Sequence, residues 1–487
     1  MQIKFGTDGW RAIIAREFTF VNVERVAQAF ADYLSAQADE KHIAAGAPGS
    51  VADSVSHRGN TAQPFVVIGF DRRFLSEKFA LRSAEVMAGN GFKFALFDEA
   101  QPTPLISWAV KALGASGGIM ITASHNPANF NGFKIKAPWG GSAAPETTLA
   151  VEKLVDHTSP KRKPISVTGN ELLEPTVTSY REQINSYIDL DRIRQASGHV
   201  IVDPMHGSGG LWVETFLKGG QLEVETIRDF RDPLFGGVNP EPIDQNLGPL
   251  KARVLDSGAL VGLATDGDAD RVGAVDELGE TMTMHDVVPL LLLHLARERK
   301  MTGSVAMTVS QSVLTRRIAD AMGLKLYETP IGFKYIADLM LKEDILLGAE
   351  ESGGIGVKGH LPERDGILNS LLFLEAIVAS GKPPSEMLAD LHREFGEFRF
   401  GRRDLHMDVS KGQDLVSRLA EQPPAAMAGY RVSNVNTMDG TKLMFDDESW
   451  LLFRQSGTEP VLRVYSEATS TAKMNELLSA GESAAQQ

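Results

Sequence analysis

Val23, Val26, Ala27, Phe30 and Leu34 recur at helical spacing, which predicts an amphipathic helix beginning after Thr19. From Ala38 to Gln63 the pattern dissolves into Ala, Gly, Ser, His and Asn, so 38–63 reads as a loop or a partly disordered insertion. Short apolar runs and helical stretches then alternate: strand over 65–70, helix over 76–87, strand over 92–97, helix over 103–113, strand over 118–122. The alternation begins again at 199–203 and runs to 259–264. It begins a third time at 304–309 and runs to 344–348.

Strands alternating with helices predict mixed α/β layers, and three such blocks predict a repeated domain. The end of the chain differs. Strands are expected over 404–409, 430–435, 441–445, 449–454 and 461–465, with a helix after Thr471, which reads as a smaller α+β domain. Boundaries near 170, 280 and 395 divide the chain into 1–170, 171–280, 281–395 and 396–487.

The chain's 487 residues suit three or four domains of ordinary size, and 43% hydrophobic with 23% charged residues is an ordinary globular balance. There is no cysteine, which excludes disulfides and thiolate chemistry and fits a reducing compartment. No secretory-type segment is read at the start, and the longest apolar run, 287–292, is far too short to span a bilayer. A cytoplasmic protein without membrane contact is expected. The net charge of −14 argues against nucleic acid, so an anionic ligand would need local donors.

Three polar loops leave the last strand of the three blocks: TASHNP (122–127), TDGDADR (265–271) and GAEESGG (348–354). Ligands of open α/β sheets bind at the carboxyl ends of strands, so these loops could share one cleft. In the second, Asp266, Asp268 and Asp270 alternate with small residues and can turn their oxygens toward a hard cation such as Mg²⁺. A solvated acidic turn is the alternative. An EF-hand is rejected, because Arg271 stands where its glycine belongs. Three carboxylates leave coordination positions open, and a phosphate on Ser124 would fill one. Toward the C-terminus, RQSGTEP (454–460) with Arg463 has the equipment of a phosphate anchor, unless it is a surface turn. Glu350 and Ser352 could read sugar hydroxyls.

These loops, together with FGTDGWRA (5–12), NGFK (131–134), GFK (332–334) and RDG (364–366), resemble the α-D-phosphohexomutases over the whole chain. The resemblance implies four domains around a central cleft and a phosphoserine at Ser124. It implies one Mg²⁺ on Asp266, Asp268, Asp270 and the Ser124 phosphate, and a hexose 1,6-bisphosphate as intermediate and activator. Arg11 and Lys134 match positions flanking the phosphoryl group, Arg271 the arginine beside the metal loop, and Lys334, Glu350 and Ser352 the sugar side. Arg454, Ser456, Gly457, Thr458 and Arg463 match the anchor.

Many bacterial members carry His after Glu-x-Ser-Gly, where this chain has Gly354, so Lys134, His125 or His360 must be considered as the base. Glucosamine-phosphate mutases typically have Gln where Glu351 stands, which favours glucose or mannose phosphates. The rivals are a phosphoglucosamine mutase, a bisphosphate synthase, a non-catalytic sugar-phosphate binder on the same fold, and a serine hydrolase. No Gly-x-Ser-x-Gly elbow surrounds Ser124 to support the last. The partners expected are small hexose phosphates, with the protein a monomer or homodimer.

Overall fold

The computed structural model describes residues 2–6, 8–45, 64–166, 172–456 and 460–486. Four sheets follow one another along the chain. In the first, Phe65–Phe70 lies parallel to Lys93–Leu96 on one side and to Gly117–Ile121 on the other, and Phe130–Lys136 then returns antiparallel to Gly117–Ile121. The second repeats this order with His199–Asp203, Glu223–Thr226, Val261–Thr265 and the returning Val272–Asp276. The third does so with Ser304–Thr308, Leu326–Thr329, Ile345–Ala349 and Ile355–Val357. The repeat read from the pattern is therefore a repeat of topology. In each unit the polar loop joins the third parallel strand to its antiparallel partner.

The fourth sheet is antiparallel, ordered Arg399–His406, Val461–Ala468, Trp450–Gln455, Thr441–Phe445, Tyr430–Asn436, Ala426–Met427. Two sequence expectations need correction. The first helix runs Phe20–Ala45, well into the stretch expected to be a loop, because Ala-rich backbone continues a helix without needing an apolar face. Residues 46–63 lie outside the described residues. The strand expected over 404–409 is Arg399–His406, and Val409 instead opens the helix Val409–Glu421, whose Gly412, Leu415 and Leu419 face inward at helical spacing.

One apolar core crosses all four units and holds Met120, Leu263, Leu347 and Trp450 in a single cluster. The helix Gly366–Ser380 of the third unit lies on the second sheet and is buried from Gly366 through Ile377. Leu368, Leu371 and Leu372 are wholly inaccessible there, and each such side chain contributes about 1.5–3 kcal/mol. This packing fixes the second and third loops relative to one another. Among the described residues no helix is long and apolar enough to cross a membrane.

Candidate active site

Three loops meet at Ser124. Its Oγ donates to Asp266 Oδ2 at 2.7 Å, across the junction of the first and second units. Its backbone lies at φ 52°, a left-handed conformation that costs a non-glycine residue about 1–3 kcal/mol unless its surroundings impose it. They do. Ser124 N–H donates to Thr122 Oγ1 at 2.9 Å, and Thr122 Oγ1 in turn donates to Asp71 Oδ2 at 2.6 Å. The wholly buried Arg73 donates to the carbonyls of Ser124 and Asn126, both at 2.6 Å, and to that of Pro127 at 2.8 Å. Its Nε faces Asp71 at 3.2 Å. From the metal loop, the bare Cα of Gly267 faces this turn, where a Cβ would stand 2.5 Å from the Ser124 carbonyl oxygen. Any larger residue would separate serine from carboxylate.

Asp71 and Arg73 thus form a clamp at the carboxyl end of Phe65–Phe70. Burial pushes the Asp71 carboxyl up, with Arg73 pulling it back. Removing one partner of a buried pair strands the other, at about 3–5 kcal/mol. Arg73→Met is therefore expected to lower the unfolding free energy by that amount, seen as a fall in the urea midpoint, and to release the serine turn, giving a fast-exchanging Ser124 amide in hydrogen exchange. An unchanged midpoint and a protected amide would show the clamp to be idle.

The three aspartates are fully buried, with one oxygen of each within 4.8 Å of the others. Asp268 and Asp270 each commit one oxygen to the protein, and Asp266 commits both, its Oδ2 being the acceptor of Ser124 Oγ. Asp266 Oδ1 accepts the N–H groups of Asp270 and Arg271 at 3.0 and 3.2 Å. Asp268 Oδ2 accepts from Thr103 Oγ1 at 2.7 Å and from Lys134 Nζ at 2.9 Å. Asp270 Oδ2 faces Arg364 at 2.8 Å and Lys134 at 3.2 Å. Asp268 Oδ1 and Asp270 Oδ1 are buried with no hydrogen-bond partner among the described residues. Orphaned carboxylate oxygens are costly, and a divalent cation is the ligand that two of them beside Asp266 suit. Burial and the neighbouring Asp268 and Asp270 push Asp266 well above the usual carboxylate range. Burial acts the same way on Asp268, but Lys134 and Thr103 outweigh it and hold that carboxyl low.

Backbone contacts lock the loop further: Thr103 N–H donates to the Asp268 carbonyl at 2.8 Å, and Gly366 N–H to that of Ala269 at 3.0 Å.

Around this centre stand cations. Lys134 Nζ also touches Asp8 at 3.0 Å. Burial opposes its charge, but Asp268, Asp270 and Asp8 overcome that and push its pKa up, so it is a fixed ammonium here rather than a base. Arg11 donates to Asn126 Oδ1 at 2.6 Å, and Arg271 lies 3.6 Å from Glu241. His125 Nδ1 is 3.4 Å from Ser124 Oγ. Burial, then Arg271, Arg11, Arg463 and Lys134, hold its imidazole well below the usual range, so it is neutral. His360 lies elsewhere: its Nε2 bonds Asp365 at 2.9 Å, in a buried group with Trp108 and Tyr180.

These loops, sheets and side chains match known proteins over nearly the whole chain. Models of the four domains described as phosphoglucomutase/phosphomannomutase alpha/beta/alpha domains I, II and III and C-terminal domain match residues 2–47 with 49–162, 178–279, 285–395 and 415–480. The phosphoglucomutase/phosphomannomutase of Thermococcus kodakarensis is 32% identical over 479 residues, 98% of this chain and 97% of that one. The chain belongs to the phosphoglucomutase/phosphomannomutase family.

It is an enzyme of the phosphohexomutase kind. A crystal structure from Thermus thermophilus, carrying a provisional phosphomannomutase name, superimposes with a TM-score of 0.83 at 35% identity, covering all of both chains. The phosphoglucosamine/phosphogalactosamine mutase of Sulfurisphaera tokodaii is 28% identical over 386 residues, 77% of this chain and 82% of that one.

In the third unit's polar loop, Glu350 is buried 3.8 Å from Arg364. Burial raises its pKa to about 7, with Arg364 pulling it back. Glu351 turns away to accept from Ser310 at 2.6 Å, and Ser352 is half-buried beside it. Lys334 is half-buried at the start of the helix Phe333–Lys342. Arg454 donates to Asp439 at 2.9 Å, and Asp439 also accepts Ile331 N–H at 2.9 Å, which ties the fourth unit to the GFK turn of the third. Cross-strand pairing sets Arg454 beside Arg463, and Ser456 is buried at the end of the strand. Gly457 and Thr458 lie outside the described residues.

Sequence reasoning missed Asp71, Arg73, Thr103 and Asp8, and it gave Arg364 no role. The available signal was position. Asp71 and Arg73 follow the first parallel strand at the same carboxyl edge as the chemical loops, which is where such sheets place their sites.

Proposed function

We propose that this protein interconverts hexose 1-phosphate and hexose 6-phosphate, glucose and mannose being its sugars, through a phosphoserine at Ser124 and a hexose 1,6-bisphosphate. The observation that carries this is the serine hydroxyl 2.7 Å from one of three buried carboxylates, two of which keep an unpartnered oxygen. Asp266, Asp268 and Asp270 would hold Mg²⁺, which when bound supplies Lewis-acid polarisation of a phosphoryl oxygen.

The protein's own residues do the rest. The Asp71–Arg73 clamp holds the Ser124 turn, so the phosphoserine is presented in one orientation. Arg11, Lys134 and Arg271 surround it with fixed positive charge, which stabilises a transferring phosphoryl group by position alone. Neutral His125 can accept the proton of the attacking sugar hydroxyl, as neither Lys134, a fixed cation, nor His360, bonded to Asp365, is free to do. Glu350 and Ser352 accept from and donate to the sugar hydroxyls. Arg454, Ser456 and Arg463 grip the second phosphate, and guanidinium and hydroxyl donors read a phosphate without reading the carbon that bears it. The bisphosphate can therefore turn around and return its other phosphate to Ser124.

A phosphoglucosamine mutase is the second reading, supported by the amino-sugar mutase among the relatives. Glu351 in place of the usual Gln favours the first. The test is kcat/KM for the 1-phosphates of glucose, mannose and glucosamine, measured with glucose 1,6-bisphosphate as activator. Glucose and mannose phosphates should exceed glucosamine phosphate by about tenfold or more, the scale of one or two contacts. The reverse order would establish the amino-sugar reading. No turnover of any of the three, with tight binding retained, would establish a binding protein.

A further inference from the structure

Gly354 stands where many members of the family carry histidine, and the structure supplies a reason. A Cβ there would lie 2.4 Å from Arg364 Cδ and 3.1 Å from Glu350 Oε2. The Arg364 side chain passes over this bare Cα and is 7% exposed. Its Nη2 reaches Asp8 Oδ2 at 2.9 Å and Asp270 Oδ2 at 2.8 Å, while Nη1 faces Glu350 Oε2 at 3.8 Å. One guanidinium therefore joins the first unit's FGTDG loop, the second unit's metal loop and the third unit's sugar loop. It engages Asp270 Oδ2, which leaves Oδ1 without a hydrogen-bond partner among the described residues. A planar guanidinium offers its donors in a fixed fork, which sets the directions of the carboxylates around it as a lysine's point charge does not.

Resting on the mutase reading above, we propose that Arg364, in the space opened by Gly354, is the positioning residue that sets the sugar-reading Glu350 against the metal loop. It does not touch the reacting atoms. It acts by fixing where Glu350 stands and by opposing the rise in that carboxyl's pKa. Burial drives Glu350 toward its proton. Arg364 and, more weakly, Arg271 oppose this, while Glu351 and Asp270 reinforce it. An ionised Glu350 accepts sugar hydroxyls and a protonated one offers a competing donor, so kcat/KM falls as pH drops through the Glu350 pKa. Removing Arg364 raises that pKa and moves the acid limb to higher pH.

The experiment compares the parent with Arg364→Gln, Gly354→Ala and the double variant. KM and kcat for glucose 1-phosphate are measured across pH, with calorimetric binding of glucose 1-phosphate as a readout independent of turnover. Arg364→Gln should raise KM about tenfold or more and lift the acid limb, with a smaller change in kcat. Gly354→Ala pushes on Arg364 and should reproduce the KM defect in part. Because its methyl presses hardest on Arg364, with Glu350 Oε2 farther off, the double variant should be little worse than Arg364→Gln. Should Arg364→Gln fail to fold, the Gly354→Ala defect, with its acid limb moved the same way, carries the test.

In an active parent, unchanged KM and an unmoved acid limb in both single variants would overturn this inference and leave the mutase reading standing. Strictly additive defects in the double variant would overturn it as well. A parent that neither binds nor turns over hexose phosphates would overturn both.

Discussion

Ser124→Ala is expected to reduce hexose phosphate turnover to background, and to remove from the purified protein a mass fraction heavier by one phosphoryl group. The magnitude follows from the role. A residue that carries the transferred group cannot be bypassed, so the loss is many decades rather than the one or two of a weakened contact. The fold should survive. Ser124 Oγ contributes one hydrogen bond to Asp266, about 0.5–1.5 kcal/mol, while the turn itself is held through the backbone by Arg73 and Thr122. Intact-mass spectrometry and circular dichroism on the same sample separate the two effects. A phosphorylated species persisting in Ser124→Ala together with parental turnover would place the phosphoryl carrier elsewhere and end the mechanism.

What could be read from the chain and what could not divide along physical lines. The three loops were legible because their chemistry is local: three carboxylates within five residues, or a serine between a strand and a proline, need only their own backbone to be arranged. The repeated sheets were legible because buried parallel strands are continuous apolar runs at recurring intervals. Arg73 was not. Its meaning lies in carbonyls some fifty residues away, and a buried arginine looks like any other until the structure closes over it. Arg364 is the extreme case, since its partners Asp8 and Asp270 belong to two other units and only the interleaving of Gly366–Ser380 with the second sheet brings them together. The helix Val409–Glu421 was overlooked because its inward residues are few, Gly412, Leu415 and Leu419, and Gly412 looks like a break. Gly412 packs on Gln455, where a Cβ would meet the side-chain oxygen at 1.8 Å, so this glycine marks close approach rather than a turn.

Asp268→Asn is expected to cut turnover by about two decades or more, since losing even an outer-shell partner of a metal ligand typically costs 10–100-fold. The structure gives the change no good orientation. With the amide oxygen toward Thr103 and Lys134, the NH₂ group takes the place of the orphaned Oδ1 and points a donor at the cation position. With the amide reversed, the Thr103 hydroxyl can turn to accept, but NH₂ meets the Lys134 ammonium donor against donor. Asp268 is also the carboxylate whose charge the protein defends most clearly, with Lys134 and Thr103 overcoming the effect of burial. At Asp266, burial and the two neighbouring aspartates outweigh Arg271 and Ser124 and drive the carboxyl toward its proton. Lys134 would keep Asp8 and Asp270, so its burial remains compensated and stability should fall by about 1.5–3 kcal/mol, the scale of a charged hydrogen bond. Turnover measured against Mg²⁺ concentration, beside Mn²⁺ binding followed by paramagnetic resonance, reads the metal directly. The parent should bind Mn²⁺ and lose activity in excess chelator, with Mg²⁺ restoring it, while Asp268→Asn binds far more weakly. Full activity of the dialysed parent in chelator, or parental Mn²⁺ affinity in Asp268→Asn, would remove the cation from this site and leave its two orphaned oxygens without a ligand.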